Sequence, residues 1–482
     1  MCAVVLLAFG VATAAFWGFG ELLLGTSPFV HRGDPDIRLQ TVLKLALAAS
    51  AGLTGLIALT VAHQHQRAAA GQRLRAAERS RFGQRFADAA AQLGCGSAAA
   101  RIAGAYAMAA LADETSGTAR RQQCIDVLCG YLRLPYASGH GGDLLEQVVV
   151  DDATITAGGR THTDRRTYRL QPQEREVRLT VVSIINDHLQ QGAPIGWQGY
   201  RLNFSGAEFD GGSFRGAEFS AGILDFAGAR FRGGVVDFSG AKFSGALTHF
   251  AGAEFSGGTV TFADAEFSGG LADFGRAKFS GCEVDFSRAR YSGGDVTFAG
   301  AEFSAGLVTF ADGELTGGTA VFSAARFRGA TVSFAAARFC AGTVSFAGAQ
   351  VTGGTVDFGR SSFSGSTVDF GGAQFLGGTV TFMGSELTGG VLDFSEARFA
   401  RCMVIFWCVK FSGGLADFGR AQFLGGVVDF SGAQFLGGVV DLRLISSWSR
   451  PPAGLPQAAE GLGLPGEWAA GLPLSPDLAT VT

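Results

Sequence analysis

Between Gly222 and Gly437 the chain is an unbroken run of 18 units of 12 residues, of which GVVDFSGAKFSG (residues 234 to 245) is typical. Repetition at a fixed period implies a solenoid, in which each turn buries its apolar face only against its neighbours. Each unit carries two triplets, usually V-x-F and A-x-F, whose aromatic positions are separated alternately by 5 and 7 residues. Alternation with period two puts the small residue and the Phe on one face and the middle residue on the other, as in a very short strand. Val236, Phe238, Ala241 and Phe243 are therefore core residues, with Phe226 and Phe231 before them, whereas Asp237 and Lys242 face water. The SG and SGG segments supply corners, since Gly reaches positive φ without steric conflict.

The outward residue of each A-x-F triplet sets the length of a turn. These positions read Arg230, Lys242, Glu254, Glu266, Lys278, Arg290, Glu302, Glu314, Arg326 and Arg338. Residues one turn apart stand side by side, where like charges repel. At a separation of 12, Arg230/Lys242 and Glu254/Glu266 are like pairs; at a separation of 24 every pair is opposite, and Glu218 under Lys242 and Glu386 under Lys410 continue the pattern. A four-sided turn of 24 residues follows, with four aromatic positions per turn in its bore. About ten such turns at roughly 4.8 Å each make a rod on the order of 50 Å long.

Composition divides the chain in two. Of 42 Phe, 36 fall between Phe204 and Phe435 and six precede residue 200. The front half is different in kind. Residues 2 to 20 carry no charge, the apolar run continues past Glu21 through Leu24, and residues 45 to 62 are a second uncharged run. Each is long enough to cross a hydrocarbon layer of roughly 30 Å as helix. The first lacks the basic start of a secretory signal and is too long for one. Beyond the second lie Arg67, Arg73, Arg75, Arg79, Arg81 and Arg85, opposed only by Glu78. Basic residues beside a span stay in the cytoplasm, so the expected topology is a two-helix hairpin in the cell membrane with both termini cytoplasmic.

The expected organisation is a transmembrane hairpin (1–65), a cytoplasmic helical segment (66–136), a linker with one amphipathic helix (137–196), a β-helix (197–449) and a disordered Pro- and Gly-rich tail (450–482). Ser97 is placed as a helix N-cap, and Cys124 and Cys129 as core fillers. Trp448 is placed as an end cap for the rod.

In LNFSGAEFDGGSFRGAEF the residues Phe204, Phe209, Phe214 and Phe219 are spaced strictly by five. Here the chain resembles the pentapeptide repeat family, whose units carry a small residue, any residue, then Leu or Phe. The match is good at Ala207-Glu208-Phe209 and Ala217-Glu218-Phe219 and recurs at most later A-x-F triplets, with Tyr291, Leu315 and Val351 as substitutions. The resemblance implies an all-β, right-handed, four-sided β-helix, and the front half resembles membrane-anchored actinobacterial members. The two extra residues before each V-x-F triplet depart from the family's pattern and put its regular square cross-section in question.

Catalysis needs convergent polar groups in a concavity, and no such set is legible on a convex rod. No catalytic, cofactor-binding or metal-binding residue is assigned. The eight Cys lack zinc spacing and fit reduced thiols. The middle-position Asp residues, among them Asp225, Asp237, Asp273, Asp285, Asp357, Asp369, Asp393, Asp417 and Asp429, form the most regular polar set and read as a solvated acidic face. The unit CMVIFWCVKFSG puts Ile405 and Trp407 where polar or small residues normally stand, beside Met403, and so marks a candidate contact spot. The expected function is a membrane-anchored, non-catalytic scaffold that binds a protein partner or itself, with the bilayer contacted through residues 2–24 and 45–62. Some pentapeptide repeat proteins mimic duplex DNA and bind DNA gyrase, which is the alternative. Residues 201 to 450 carry 23 acidic against 19 basic residues, too balanced for such mimicry, so nucleic-acid enzymes are not the expected partners.

Overall fold

The computed structural model describes Gly10 and residues 35–136, 148–157, 160–169, 173–448, 452–456 and 459–465. The chain divides into two compact units, Met1–Arg85 and Phe86–Thr482. In the first, α1 (Pro35–Leu93) is helical throughout the uncharged run 45–62, where Leu56 and Leu59 are exposed. Among the described residues no helix is long and apolar enough to cross a membrane. The run 2–24, Gly10 apart, and several side chains of 45–62 lie outside the description, as does the 25–34 part of the connecting loop.

The second unit begins with the end of α1, then α2 (Ala98–Glu114) and α3 (Thr118–Arg133), which bury Met108, Leu111, Ile125 and Leu128 against one another and α4 (Glu174–Asp187). Ser97 does sit at the N-cap of α2 with extended backbone, but its side chain makes no capping bond. Cys124 and Cys129 are fully buried, and burial pushes their thiols up to about 11 and about 12. Two strands that the linker expectation did not contain, β1 (Val148–Ala157) and β2 (Arg160–Arg169), pair antiparallel, Ala157 opposite Arg160. Gly158-Gly159 between two Thr-rich runs is a hairpin signal, masked here by the charged residues of both runs.

Residues from Arg201 onward form a parallel β-solenoid of about 11 turns. The turn is 24 residues: Lys242 stands between Glu218 and Glu266, and Phe243 between Phe219 and Phe267. The strictly five-spaced beginning is tighter, with Arg201 opposite Ile223 and Glu208 opposite Arg230, and so is the last pairing, Val440 opposite Leu462. Each turn contributes four short strands and so four faces. Face 1 is a 12-stranded sheet that includes Ile223–Asp225 and Leu247–His249. Face 4 is a 10-stranded sheet that includes Lys242–Phe243. Faces 2 (Arg230–Phe231 and its successors) and 3 (Val235–Asp237 and its successors) join in one 19-stranded sheet because Lys278–Asp285 and Glu302–Thr309 run around the corner between them.

The bore is filled by aromatic ladders. Phe226, Phe250 and Phe274 stack from face 1 at 4.8 and 4.5 Å, and Phe238, Phe262 and Phe286 from face 3 at 4.8 and 4.7 Å. The two ladders meet edge to face, as in Phe238 against Phe250 at 6.1 Å and 85°. This T-shaped arrangement is one that the ring quadrupole favours. Phe231 and Phe243 belong to the ladders of faces 2 and 4, and Val236 and Ala241 are buried beside them.

Two kinds of corner close each turn. After Phe238 the chain makes a β-turn in which Ala241 N–H donates to the Phe238 carbonyl and Gly240 takes φ 65°. A Cβ at Gly240 would meet open space, so this corner also admits Asp264, Arg288, Glu396 and Cys408 at positive φ. At the other corner a Cβ on Gly258 would run into the carbonyl oxygen of Gly234 in the turn below, which is why the second Gly of SGG recurs there.

The helices seal the start of the bore. Trp197 is fully buried and stacks on His188 at 4.0 Å, while Val182 of α4 lies against Gly212. At the far end, strand pairing extends into the segment expected as a disordered tail: Leu462 and Gly463 pair with Val440 and Asp441, and Ala453 bridges to Asp429. Ser447–Trp448 pairs with Gln422–Phe423, so Trp448 continues face 2.

Candidate functional site

The four faces differ in what they offer a partner. Faces 2 and 4 carry the charge ladders. Lys242 pairs with Glu218 at 3.3 Å, Lys278 with Glu254 at 3.0 Å, Arg290 with Glu266 at 2.7 Å and Arg338 with Glu314 at 3.1 Å. Glu302 takes Arg328 at 2.9 Å although Arg326 is its register neighbour. A parallel pair, Asp264 with Arg288 at 2.8 Å, runs along a corner, where the bidentate guanidinium holds the Asp264 carboxyl below the usual carboxylate range. These pairs are exposed, so each contributes only about 0–1 kcal/mol. Acids answered by bases do not form the continuous negative stripe that duplex mimicry would need.

On faces 1 and 3 the structure gives the regular Asp set a local task. Asp237 Oδ1 accepts from Ser239 N–H at 2.8 Å, and Asp225, Asp273, Asp285, Asp357, Asp369, Asp393, Asp417 and Asp429 accept likewise from the residue two further on. Thr261, Thr297 and Ser345 do the same through their hydroxyls. This is the Asx- or ST-turn, which ties each strand to the corner that follows. Among the described residues no group of three or more His, Cys, Asp or Glu side chains is placed to hold a metal ion.

At the N-terminal cap the polar groups are absorbed into structure. Arg178 donates to the carbonyls of Leu132 and Glu208, its guanidinium lying 4.5 Å over the Tyr136 ring, and Tyr136 donates to Asp210 at 2.6 Å. Burial lowers the Arg178 pKa and raises that of Tyr136. Asp113 and the Ile184 carbonyl both face ring nitrogens of His188, which binds α2 to α4. His162 and Asp164 lie in β2, with side chains outside the description, and His140 lies outside it altogether.

The candidate contact spot is on the surface. Met403 is 44% exposed and Trp407 49%, with Ile405 half-buried between them on face 3. The structure enlarges it. Met383, 46% exposed, occupies the position one turn below Trp407, and Leu376 and Leu424 are exposed at the corner between faces 2 and 3, one turn to either side of Ala400. These three were missed in the sequence because they look isolated there; adding 24 to 383, the turn length already in hand, finds Trp407. The turns on either side supply Gly359 and Ser431 at the Met383/Trp407 position, Thr381 and Asp429 at the Ile405 position and Thr352 at the Leu376 position, with Val427 beside Met403, so the patch is confined to three or four turns. Face 2 lapses beside it: Arg398 is flanked in register by Gln374 and Gln422, and among the described residues neither Arg398 nor Arg401 makes an ion pair.

Where Leu315 replaces Phe, Gly313 replaces Ala and Ala320 replaces Val, a cavity of about 30 Å³ opens beside Tyr291, Phe298, Phe310 and Phe322. No family model, no curated protein and no solved structure matches the chain.

Proposed function

We propose that this protein is a non-catalytic interaction module, an expanded pentapeptide-type rod that presents a long rigid surface to a protein partner in the cytoplasm, tethered to the cell membrane by a two-helix hairpin. The observation that carries the binding reading is the set Met383, Met403 and Trp407, each more than 40% exposed, with half-buried Ile405 between Met403 and Trp407, on a face where most middle positions of the V-x-F triplets are short side chains bonded to their own turns. Contiguous exposed apolar surface marks contact sites, and aromatic and Met side chains are the types that anchor them. The tether rests on the uncharged runs 2–24 and 45–62 and the Arg-rich stretch that follows, together with the exposure of Leu56 and Leu59 on a helix in the second run.

Capture from extracts of the native host tests the contact. A protein retained by the wild-type chain and lost with Met403→Ser/Trp407→Ser supports it; equal retention refutes this patch as the contact. For the tether, Gly33→Cys and Glu460→Cys are introduced separately in a background lacking Cys95 and Cys408 and treated on intact cells with an impermeant maleimide. Labelling of position 33 alone is expected, and any other outcome sinks the hairpin.

A further inference from the structure

Face 3 carries a charge pattern that a second, reversed copy of the same face answers. Its triplets start every 24 residues from Thr259 to Val427. Glu283 opens one of them, exposed between Thr259 and Leu307 in register, and makes no ion pair among the described residues. Arg401, exposed at the corner before Met403, is likewise without an ion pair among the described residues, and it holds φ 57° where Gly377 and Gly425 stand one turn to either side. The triplets of Glu283 and Met403 are five turns apart, roughly 24 Å, which is too far for the two charges to meet within one rod.

Reversing a second copy end to end, about a two-fold axis between Thr331 and Thr355, brings the two charges together twice. Met403 then lies over the partner's Glu283, with Arg401 beside the carboxylate. The same operation sets bulk against short side chains: Trp407 against the partner's Ser287, Met383 against the partner's Ala311, and Arg360 against the partner's Ala336. At the centre Thr331 meets the partner's Thr355, and short side chains there let two sheets approach to about 10 Å. The eight strands from Thr259–Thr261 to Val427–Asp429 span roughly 34 Å, and a triplet with its two corners is about 16 Å wide. That is about 550 Å² on each copy, or about 1,100 Å² in total, just above the ~1,000 Å² that a specific interface needs.

We propose that the chain forms an antiparallel two-fold dimer through face 3, with Arg401 of each copy paired to the partner's Glu283 and the Met403 and Trp407 patch covered at both ends. The inference rests on the contact reading and names a second copy of this chain as the partner. The two fail separately, because the dimer is tested on the purified chain alone. A chain that is monomeric by itself yet still captures a host protein through Met403 and Trp407 removes the dimer and leaves the contact.

Sedimentation equilibrium of the purified full chain, in a density-matched neutral detergent, measures the dimer Kd for the wild type, Glu283→Arg, Arg401→Glu and the chain carrying both changes. Each single reversal turns two attractions into two repulsions and is expected to raise Kd at least about tenfold. In the double variant every pair is again opposite, so its Kd is expected to return to within about threefold of the wild type. Thr331→Arg, at the centre of the interface and away from the charge pair, is expected to dissociate the dimer as well, and it keeps the result decisive if a reversal disturbs folding. A wild-type chain that stays monomeric at every concentration, a dimer indifferent to all three single changes, or single losses that the double reversal does not recover would each overturn the proposal.

Discussion

Tyr291 offers the sharpest test of how the rod is held together. Its ring continues the face 4 ladder, stacking on Phe267 at 5.0 Å and 4°, but its hydroxyl is buried with no hydrogen-bond partner among the described residues, and burial alone drives its pKa upward. The hydroxyl is accommodated because Leu315, one turn on, is shorter than the usual Phe. The neighbouring cavity of about 30 Å³ is large enough for one water, but a stable water needs two to four polar partners. The side chains enclosing it are mostly apolar, so the hydroxyl stays unmet. A buried hydroxyl without a partner costs about 1–3 kcal/mol. Tyr291→Phe is therefore expected to stabilise the rod by about 1–2 kcal/mol. With a guanidinium slope of about 5 kcal/mol/M, the upper part of the usual range, the unfolding midpoint rises by about 0.2–0.4 M.

The mirror substitution sharpens the reading. Phe243 lies in the same ladder between Phe219 at 5.0 Å and Phe267 at 4.8 Å, with no shortened neighbour. Phe243→Tyr should lower the midpoint, by about 1–3 kcal/mol for an added hydroxyl that finds neither space nor partner. Both are read from equilibrium denaturation of the purified chain, accepting only variants whose transition slopes match the parent, since long repeat arrays can lose cooperativity. A Tyr291→Phe midpoint unchanged or lowered would refute the reasoning, because it would mean that the hydroxyl is bonded, by a water or by a backbone carbonyl.

Other outcomes follow from the corners, the ladders and the thiols. Val321 stands at an outward position where Thr, Ser and Asp elsewhere accept from the residue two on, so Val321→Asp should stabilise by about 0.5–1.5 kcal/mol in denaturation, and Asp237→Ala should destabilise similarly. Gly240→Ala should cost about 1 kcal/mol of left-handed strain, whereas Gly258→Ala, whose Cβ meets a carbonyl of the next turn, should cost several and lower the thermal midpoint accordingly. Glu266→Lys should be worse alone than alongside Lys242→Glu and Arg290→Glu, with a coupling of about 0.2–1 kcal/mol that fades in high salt; absence of coupling would argue against contact at 24 residues. The Asp264–Arg288 pair lowers the folded carboxyl pKa, so its small contribution is present at neutral pH and lost only as pH falls through and below the usual carboxylate range; Arg288→Gln should remove that part of the acid dependence. Burial raises the Cys282 thiol to about 12 and Cys402 to about 11, so both stay protonated and inert to alkylation at neutral pH in the folded chain.

The turn length was legible because charge alternation is a statement about neighbours: Lys242 has like-charged Arg230 twelve residues back and opposite charges 24 residues away on both sides, and the strand register puts those distant residues beside it. The interior was legible because Val, Ala and Phe recur at inward positions with few substitutions. The hairpin of β1 and β2 was not, since a two-stranded element leaves no stacked core to impose a period. The pairing of Leu462 with Val440 was not either, because a single short strand among Pro and Gly carries no periodic signal.

The outward Asp set shows why function is harder to read than fold in such a chain. Taken alone, nine Asp at one repeat position read as an acidic face. Taken with what replaces them, the same column reads otherwise, since Asn203, Thr261, Thr297, Thr309, Ser333 and Ser345 share no charge with Asp but share a short acceptor that reaches the backbone N–H two residues on. A purely solvated face would admit Lys, Gln and Glu, which never stand there. His249, Val321 and Ile405 are the positions where the acceptor is missing. At Ile405 the loss of the turn bond coincides with Met403, Trp407 and Met383 becoming exposed apolar neighbours. A substitution that gives up a local bond worth about 1 kcal/mol and exposes apolar surface in the same place has no benefit to the isolated rod, which is the physical reason to look for something that covers it.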